Sequence, residues 1–309
     1  MIPEDSLPWV VSISLGSSKR DKSSLLELEG KTFKVERRGT DGDFAAFARL
    51  FSELDGKAAA LGVGGADIWL KAGGKAYAFK DVEKAVAGAK STPVVDGSGL
   101  KHTLERSAIL WMKDQDILDF EKSKVLLVSA VDRFGMAEAL AQVCPKVVYG
   151  DLIFGLGIPI PISKLSTVAF LGKLLLPIIT RLPIQTFYPT GEKQEKRTPK
   201  FAKFFEEADL IAGDWHFIRR FAPENLTGKR ILTQTLRKAD LEWLKSIGLH
   251  QAITTTPEVG GETFATNVME AVLAAEAGRR LTESEIEARV STLGWVPRVW
   301  TLNPLPLGG

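Results

Sequence analysis

The second half of the chain alternates short apolar runs with segments of helical periodicity. Apolar runs between polar turns predict strands, and apolar residues that recur every three or four positions predict helices. Strands that alternate with helices are typical of a parallel sheet covered on both faces. We therefore predict strands at 124–130, 146–150, 208–213, 230–235 and 250–256, with helices at 134–143, 215–221 and 238–247.

The first part of the chain has a more mixed pattern. A strand is predicted over residues 9–15, and alternating arms around Glu29-Gly30 and Gly73-Gly74 predict two hairpins. At 309 residues the chain exceeds what one hydrophobic core usually supports. We predict a two-domain α/β protein, with a mixed α/β domain at 1–120 and a Rossmann-like parallel-sheet domain at 121–309 that carries an apolar helical insertion at 163–200.

Composition narrows the class of protein without identifying a ligand. Hydrophobic residues make up 45% and charged residues 25% of the chain, which is ordinary for a soluble globular protein. A net charge of +2, with acids and bases mixed, gives no reason to expect nucleic acid as a partner. The single cysteine, Cys144, excludes an internal disulfide, and three separated histidines favour no metal site. Because the N-terminus lacks a basic, apolar leader, we expect a cytoplasmic protein.

One stretch, "LSTVAFLGKLLLPIITRLPI" at 165–184, approaches the length of a membrane span. Lys173, Arg181 and two prolines interrupt it, and a charge near a helix centre costs about 2.5–3.5 kcal/mol on insertion. We therefore expect no membrane span. A buried helix, a homodimer interface and a lid over an apolar ligand remain open for this segment.

Polar residues gather at the predicted carboxyl ends of the parallel strands, where such sheets bind their ligands. This contrast with the apolar strands predicts a polar small molecule as ligand or substrate. The predicted cofactor-binding residues are Ser129, Arg133, Gly135, Asp151 and Thr233. The predicted substrate-binding residues are Ser12, Ser14, Tyr188, Thr254 and Thr255, and the catalytic candidates for acid/base work are Lys193, His216 and Asp214. Asp214 is equally well placed to cap a helix, and the loop that holds Lys193 is equally a charged surface loop.

The stretch "KVLLVSAVDRFGMAEALAQVCPKVVYGD" at 124–151 has the outline of a dinucleotide-binding unit. Of the three glycines usual in a dinucleotide-binding turn, only Gly135 is present. Arg133 can neutralise a phosphate, and Asp151 occupies the position of the acid that binds the ribose. Asp132, by contrast, would repel a pyrophosphate in the normal position. NAD or NADP, another nucleotide-like ligand and no cofactor at all remain open.

A second candidate for anion binding is the loop "SLGSSKRD" after the first strand. Its backbone N–H groups, with Ser17, Ser18 and Lys19, can cradle a phosphate. An ordinary solvated loop is the alternative.

Several segments together resemble a bacterial family named quinate 5-dehydrogenase: "VSISLGSSKRD", "RRGTDGD", "PVVDGSGLK", "YPTGEKQ", "GDWHFIRRF" and "TTTPEVGGETFATNVMEA". The resemblance covers nearly the whole chain. It implies NAD(P)-dependent oxidation of quinate to 3-dehydroquinate, with a Rossmann domain beside a substrate domain. The chain lacks the Asn-Val-Thr-x-Pro-x-Lys motif and the Gly-x-Gly-Gly turn of well-understood quinate and shikimate dehydrogenases, so the resemblance assigns no catalytic residue.

The leading hypothesis is an NAD(P)-dependent oxidoreductase that acts on a small polyhydroxylated acid such as quinate. The first alternative is a transferase that uses S-adenosylmethionine or a nucleotide on the same scaffold. The second is a non-catalytic protein that binds a nucleotide or phosphate.

Overall fold

The structure is a computed structural model that describes residues 6–184, 197–259 and 262–305. Tyr188 and Lys193, two of the predicted site residues, lie outside the described residues. The described chain forms two units, each built on one main sheet. The predicted α/β class and the parallel sheet of the second half are confirmed.

The N-terminal unit is built on a five-stranded sheet in the order β2-β3-β1-β4-β7. Its pairs are parallel except for β2 with β3. Both predicted hairpins are confirmed, and both turn through two residues of positive φ, Glu29-Gly30 and Gly73-Gly74, which is the conformation that tight hairpins need. The elements are β1 (Trp9–Ser14), β2 (Lys22–Leu28), β3 (Lys31–Gly39), α1 (Phe44–Leu54), β4 (Ala60–Gly64), β5 (Trp69–Ala72), β6 (Lys75–Ala78), α2 (Lys80–Val86), β7 (Val94–Val95) and α3 (Ser98–Asp114).

The C-terminal unit is built on a six-stranded sheet in the order β15-β12-β11-β10-β8-β9. All its pairs are parallel except that of β12 with β15. Helices α3 and α4 cover one face, and α6, α7 and α8 cover the other. The elements that follow α3 along the chain are β8 (Lys124–Leu127), α4 (Phe134–Val143), β9 (Lys146–Tyr149), a π-helical turn (Asp151–Gly155), α5 (Leu165–Ile179), α6 (Ala202–Glu207), β10 (Leu210–Ala212), α7 (Trp215–Phe221), β11 (Arg230–Thr233), α8 (Lys238–Ser246), β12 (Gln251–Thr254), β13 (Glu258–Val259), β14 (Glu262–Thr263), α9 (Thr266–Ala277), α10 (Glu283–Leu293) and β15 (Arg298–Thr301).

The chain returns to the first sheet near its end. The sequence pattern assigned residues 121–309 to one domain, but α9 and α10 pack on the N-terminal unit, and only β15 goes back to the second sheet. Met269 and Val272 of α9 lie in one buried cluster with Val10 and Val95 of the first sheet. A periodic apolar pattern shows that a helix will be buried but not which sheet buries it, so the pattern alone could not place α9.

Helix α5, the predicted apolar insertion, bridges the two units. Val168 packs into a cluster of the C-terminal unit, and Leu176 packs into a cluster of the N-terminal unit. The opposite face of the helix is exposed and still apolar, with Phe170 65% exposed. Within the described part of the chain, no helix combines the length and the apolar character that a membrane crossing requires.

Candidate functional site

The carboxyl ends of the two sheets meet at helix α3. Lys101, on the first turns of α3, contacts Asp67 in the loop after β4 and Asp132 in the loop after β8, each at 3.0 Å from its Nζ. Its side chain is 7% exposed. Burial alone would lower the pKa of Lys101, but the two carboxylates outweigh it and raise that pKa, so the ammonium stays charged. One buried cation therefore joins the loops at the carboxyl ends of strands from both sheets.

Arg133, predicted to neutralise a phosphate, is instead surrounded by carboxylates of the protein. Its guanidinium contacts Glu105 of α3, Asp132 at 2.9 Å and Asp214 at 2.8 Å. Arg133 is 2% exposed and Glu105 is fully buried. Burial raises the pKa of Glu105 to about 7, although Arg133 and Lys101 oppose the shift. Three carboxylates surround the guanidinium, so a phosphate would have to compete with them for it.

Asp214 and His216, two of the catalytic candidates, lie at the start of α7. Asp214 Oδ1 accepts hydrogen bonds from the backbone N–H groups of His216 and Phe217, at 2.8 and 3.2 Å, and so caps the helix. His216 is exposed. The local structure gives Asp214 a capping and ion-pairing role and places His216 outside the buried network.

The turn after β8 does not fit a pyrophosphate. Asp151 at the end of β9 accepts the backbone N–H groups of Ala130 at 3.0 Å and Val131 at 2.9 Å, so a protein carboxylate holds the N–H groups that a phosphate would need. Burial raises the pKa of Asp151 to about 6, against the effect of these N–H groups. Asp151 was predicted to bind a ribose. In the structure its carboxylate instead accepts the hydrogen bonds that a phosphate would accept in this turn.

Gly135 does not open this turn to a ligand either. Its N–H donates to His102 Nδ1 at 3.1 Å, and a Cβ added to it would lie 2.5 Å from the backbone oxygen of His102. Burial first, and then the charge of Lys101, lower the pKa of His102 to about 3, so the imidazole is neutral and can accept this bond. The absence of a side chain at Gly135 therefore allows α4 to pack closely against α3. Ser129 is half-buried in the same turn.

The loop "SLGSSKRD" likewise binds a carboxylate of its own unit, that of Asp41. The N–H and hydroxyl groups of Ser18 both donate to Asp41, at 2.8 and 2.6 Å, while Ser17 Oγ accepts from the N–H of Lys19 at 3.2 Å. At Ser18, the groups that were predicted to bind a phosphate therefore bind Asp41.

The two serines of β1 each accept a hydrogen bond from a side chain of another element. Ser12 Oγ accepts from Asn267 Nδ2 at 2.8 Å, and Ser14 Oγ accepts from Arg37 Nη2 at 3.0 Å. Both serines are buried. Burial lowers the pKa of Arg37, as do the positive charges of Arg20 and, from the C-terminal unit, Arg237, whereas Asp21 raises it. Arg37 therefore lies beside Ser14, and the charges of Arg20 and Arg237 act on it from the two units.

Four threonines at the end of the second sheet have buried hydroxyls without a hydrogen-bond partner among the described residues. They are Thr233, Thr254, Thr255 and Thr256, and none is more than 2% exposed. Thr233 and Thr254 are register partners on β11 and β12, so their side chains share a face of the sheet. A buried hydroxyl without a partner costs about 1–3 kcal/mol, so four together are a signal for a ligand or for ordered water.

Sequence reasoning missed most of the buried charges. The buried residues Lys101, Glu105 and Asp67 and the half-buried Arg37 were not among the predicted site residues, whereas the buried, uncharged Ser12, Ser14 and Thr254 were. The sequence "SGLKHTLERS" gave a weak signal for these buried residues, because charged and polar residues occupy the first turns of the helix. In the structure every residue from Ser98 to Glu105 is buried. The burial of those turns comes from α4, α9 and α10, which the sequence could not place.

Comparison with known proteins gives distant structural matches. The structure is similar to a solute-binding protein of an ABC transporter from Burkholderia graminis C4D1M in complex with D-arabinose, with 10% identity, 97% of each chain covered and a TM-score of 0.38. It is also similar to an NAD-dependent malic enzyme from Thermotoga maritima, with 12% identity, 92% of this chain and 83% of that chain covered, and a TM-score of 0.36. Similarity at this level does not indicate what the chain binds. No curated protein matches the sequence.

Two family models match the sequence, and they divide it at the start of α3. Residues 9–96 match the model described as Domain of unknown function (DUF8753), and residues 99–302 match the one described as Domain of unknown function (DUF8754). The second match covers more than half of the chain, including α9 and α10. The chain belongs to the family of Domain of unknown function (DUF8754).

Proposed function

We propose that the protein binds a small polyhydroxylated carboxylic acid between its two units. The observation that carries this proposal is the set of four buried threonine hydroxyls without partners at the carboxyl ends of β11 and β12. From Thr256 the chain runs within a dozen residues to Asn267, which binds Ser12 of β1. In sequence, Thr256 therefore lies close to Asn267, which contacts the first sheet at Ser12.

The charge of the ligand follows from the arginines. Arg37 already binds Asp21 at 2.7 Å, yet the charges of Arg20 and Arg237 still act on it. Arg237 is exposed at the start of α8; its backbone N–H donates to Asp240, but its guanidinium pairs with no carboxylate among the described residues. An anion beside Ser14 would relieve this repulsion, and a carboxylate matches the fork of a guanidinium.

Binding is tested by calorimetric titration of the purified protein with quinate, using cyclohexanecarboxylate as the probe that keeps the charge and lacks the hydroxyls. Quinate should bind and the second acid should bind at least tenfold more weakly, because its ring leaves the threonine hydroxyls unpaired. The variant Arg237→Gln should weaken quinate binding about tenfold, whereas Arg49→Gln, at an exposed site on α1, should not change it. Equal affinity for both acids would reject the proposal.

The second candidate function is NAD(P)-dependent oxidation of such an acid, the activity that the sequence resemblance implies. Lys101 favours it, because a buried ammonium held between Asp67 and Asp132 can donate to an oxygen that becomes negative in the reaction. The cofactor would then not use the turn after β8, since Asp151 takes its N–H groups. The same obstacle applies to a transferase that places its nucleotide there.

Turnover is tested separately from binding. The protein is incubated with quinate or shikimate and with NAD⁺ or NADP⁺, and reduced nicotinamide is followed by its absorbance. If reduction occurs, Lys101→Met should abolish it while retaining acid binding. If quinate binds and neither cofactor is reduced, binding without this chemistry is the better description.

A further inference from the structure

Exposed apolar side chains are concentrated in one part of this protein. Of the eleven large hydrophobic residues exposed among the described residues, seven lie between 156 and 182. They are Leu156, Ile158, Ile160, Phe170, Leu174, Ile178 and Leu182. Scattered exposed apolar residues need no explanation, but a concentration of this kind marks an interaction surface. We refer to residues 155–182 as the apolar strap.

The helical part of the apolar strap presents two opposite apolar faces. Val168, Gly172 and Leu176 recur every four residues and are buried. Phe170, Leu174 and Ile178 recur at the same spacing, two positions later, and are each about three-fifths exposed. Because side chains four apart lie on one side of a helix, the exposed three form a continuous stripe. The inner face packs against the rest of the fold, whereas the outer stripe is exposed among the described residues.

The segment between the π-helical turn and α5 is also exposed and apolar. Residues 155–161, "GLGIPIP", are all exposed. Its two prolines remove backbone donors and fix the chain, which leaves Ile158 and Ile160 outside the protein core.

The charges of the apolar strap indicate which class of partner it binds. From Leu152 to Gly191 the sequence contains no Asp or Glu, although the whole chain has 38 of them. The same stretch contains Lys164, Lys173 and Arg181, and all three are exposed. A second copy of the chain would bring these cations toward like charges, whereas an anionic lipid surface complements both the cations and the apolar stripe.

We infer that the apolar strap docks the protein on the surface of an anionic lipid bilayer. Phe170, Leu174 and Ile178 enter the boundary between headgroups and acyl chains, and Lys164 and Arg181 meet anionic headgroups at the two ends of the helix. The helix lies on the bilayer and does not cross it, since its opposite face remains packed against both units.

The inference is tested by flotation of the full chain with vesicles of phosphatidylcholine, alone or mixed with phosphatidylglycerol. The protein should float with the mixed vesicles and at least tenfold less with phosphatidylcholine alone. Phe170→Glu should abolish flotation, and Lys164→Gln and Arg181→Gln should each weaken it about fivefold. The control Leu25→Glu changes a residue of similar exposure on β2 and should float like the wild type.

Three results would overturn it. The protein could remain in the aqueous fraction with both vesicles, or Phe170→Glu could float as well as the wild type. Light scattering could also find a dimer that Phe170→Glu converts to a monomer, which would make the apolar strap a subunit interface. Each variant's circular dichroism spectrum is compared with that of the wild type, so that a folding defect is not mistaken for lost binding.

Discussion

At the scale of single residues, the buried threonine hydroxyls provide the most direct test of a ligand site. Thr254→Val keeps the shape of the side chain and removes a hydroxyl that has no partner among the described residues. We expect the variant to be about 1 kcal/mol more stable to urea than the wild type in the absence of ligand, and to bind the proposed acid more weakly.

The matched control for that experiment is Thr103→Val. Thr103 is similarly buried, but its hydroxyl donates to the backbone oxygen of Gly99 at 3.0 Å. Its loss should lower the free energy of unfolding by about 1 kcal/mol. If Thr254→Val is destabilised by a similar amount, its hydroxyl is bound to an ordered water and the argument for a ligand there is lost.

Glu270 of α9 should make the stability of the fold depend on pH. It is 3% exposed, and its carboxylate accepts the N–H of Leu100 at 2.8 Å. Burial, and then the charge of Asp96, raise its pKa from 4.5 to about 7. Because the folded pKa lies above the unfolded value, the protonated form is favoured by folding. Its contribution to stability is complete below pH 4.5 and is lost as the pH rises through about 7.

The variant Glu270→Gln keeps the shape but cannot ionise. Its stability relative to the wild type should therefore rise between pH 5 and pH 8, by about 2.5 kcal/mol. Urea unfolding of both proteins at the two pH values measures this, and the other titrating groups, including Glu105, cancel in the difference. A relative stability that does not change with pH would show that Glu270 is ionised throughout.

At the scale of elements, the contact between α3 and α4 depends on one glycine. A Cβ on Gly135 would approach three backbone atoms of His102 within 3.0 Å, and backbone cannot move aside as a side chain can. We expect Gly135→Ala to lower the free energy of unfolding by about 1–3 kcal/mol, the usual cost of overpacking. Gly155→Ala is the control, because a Cβ there meets no atom within 4 Å. Equal stability of the two variants would contradict this account of Gly135.

Elements were the part of the structure that the sequence predicted best. The helices at 134–143 and 215–221 have the observed bounds, and each predicted strand of the parallel sheet is present in a shorter form. These depend on local periodicity and on turn residues, which a sequence contains directly. The partners of Lys101, Arg133 and Asp151 depend on which loops meet in space. An acid after a strand gives the same pattern whether it binds a ribose or, like Asp151, the preceding turn.

At the scale of the whole molecule, the two units are not independent segments of the chain. Helix α9 comes from the far end of the sequence, yet its residues from Thr266 to Ala274 are all buried against the N-terminal unit. Burying one large apolar side chain contributes about 1.5–3 kcal/mol. The four such side chains of α9, those of Val268, Met269, Val272 and Leu273, therefore contribute an amount similar to the entire stability of a typical domain, about 5–15 kcal/mol.

A fragment of residues 1–114 should consequently fail to fold, although it contains every strand of the first sheet. Joining it through a flexible Gly/Ser linker to residues 262–296, which supply α9 and α10, should restore a cooperative thermal transition followed by circular dichroism. The fused segment adds no strand to the five-stranded sheet, so any gain must come from the covering helices. If the fragment of residues 1–114 alone shows a cooperative transition, α9 is not needed to complete the core of the N-terminal unit. The two units could then fold separately.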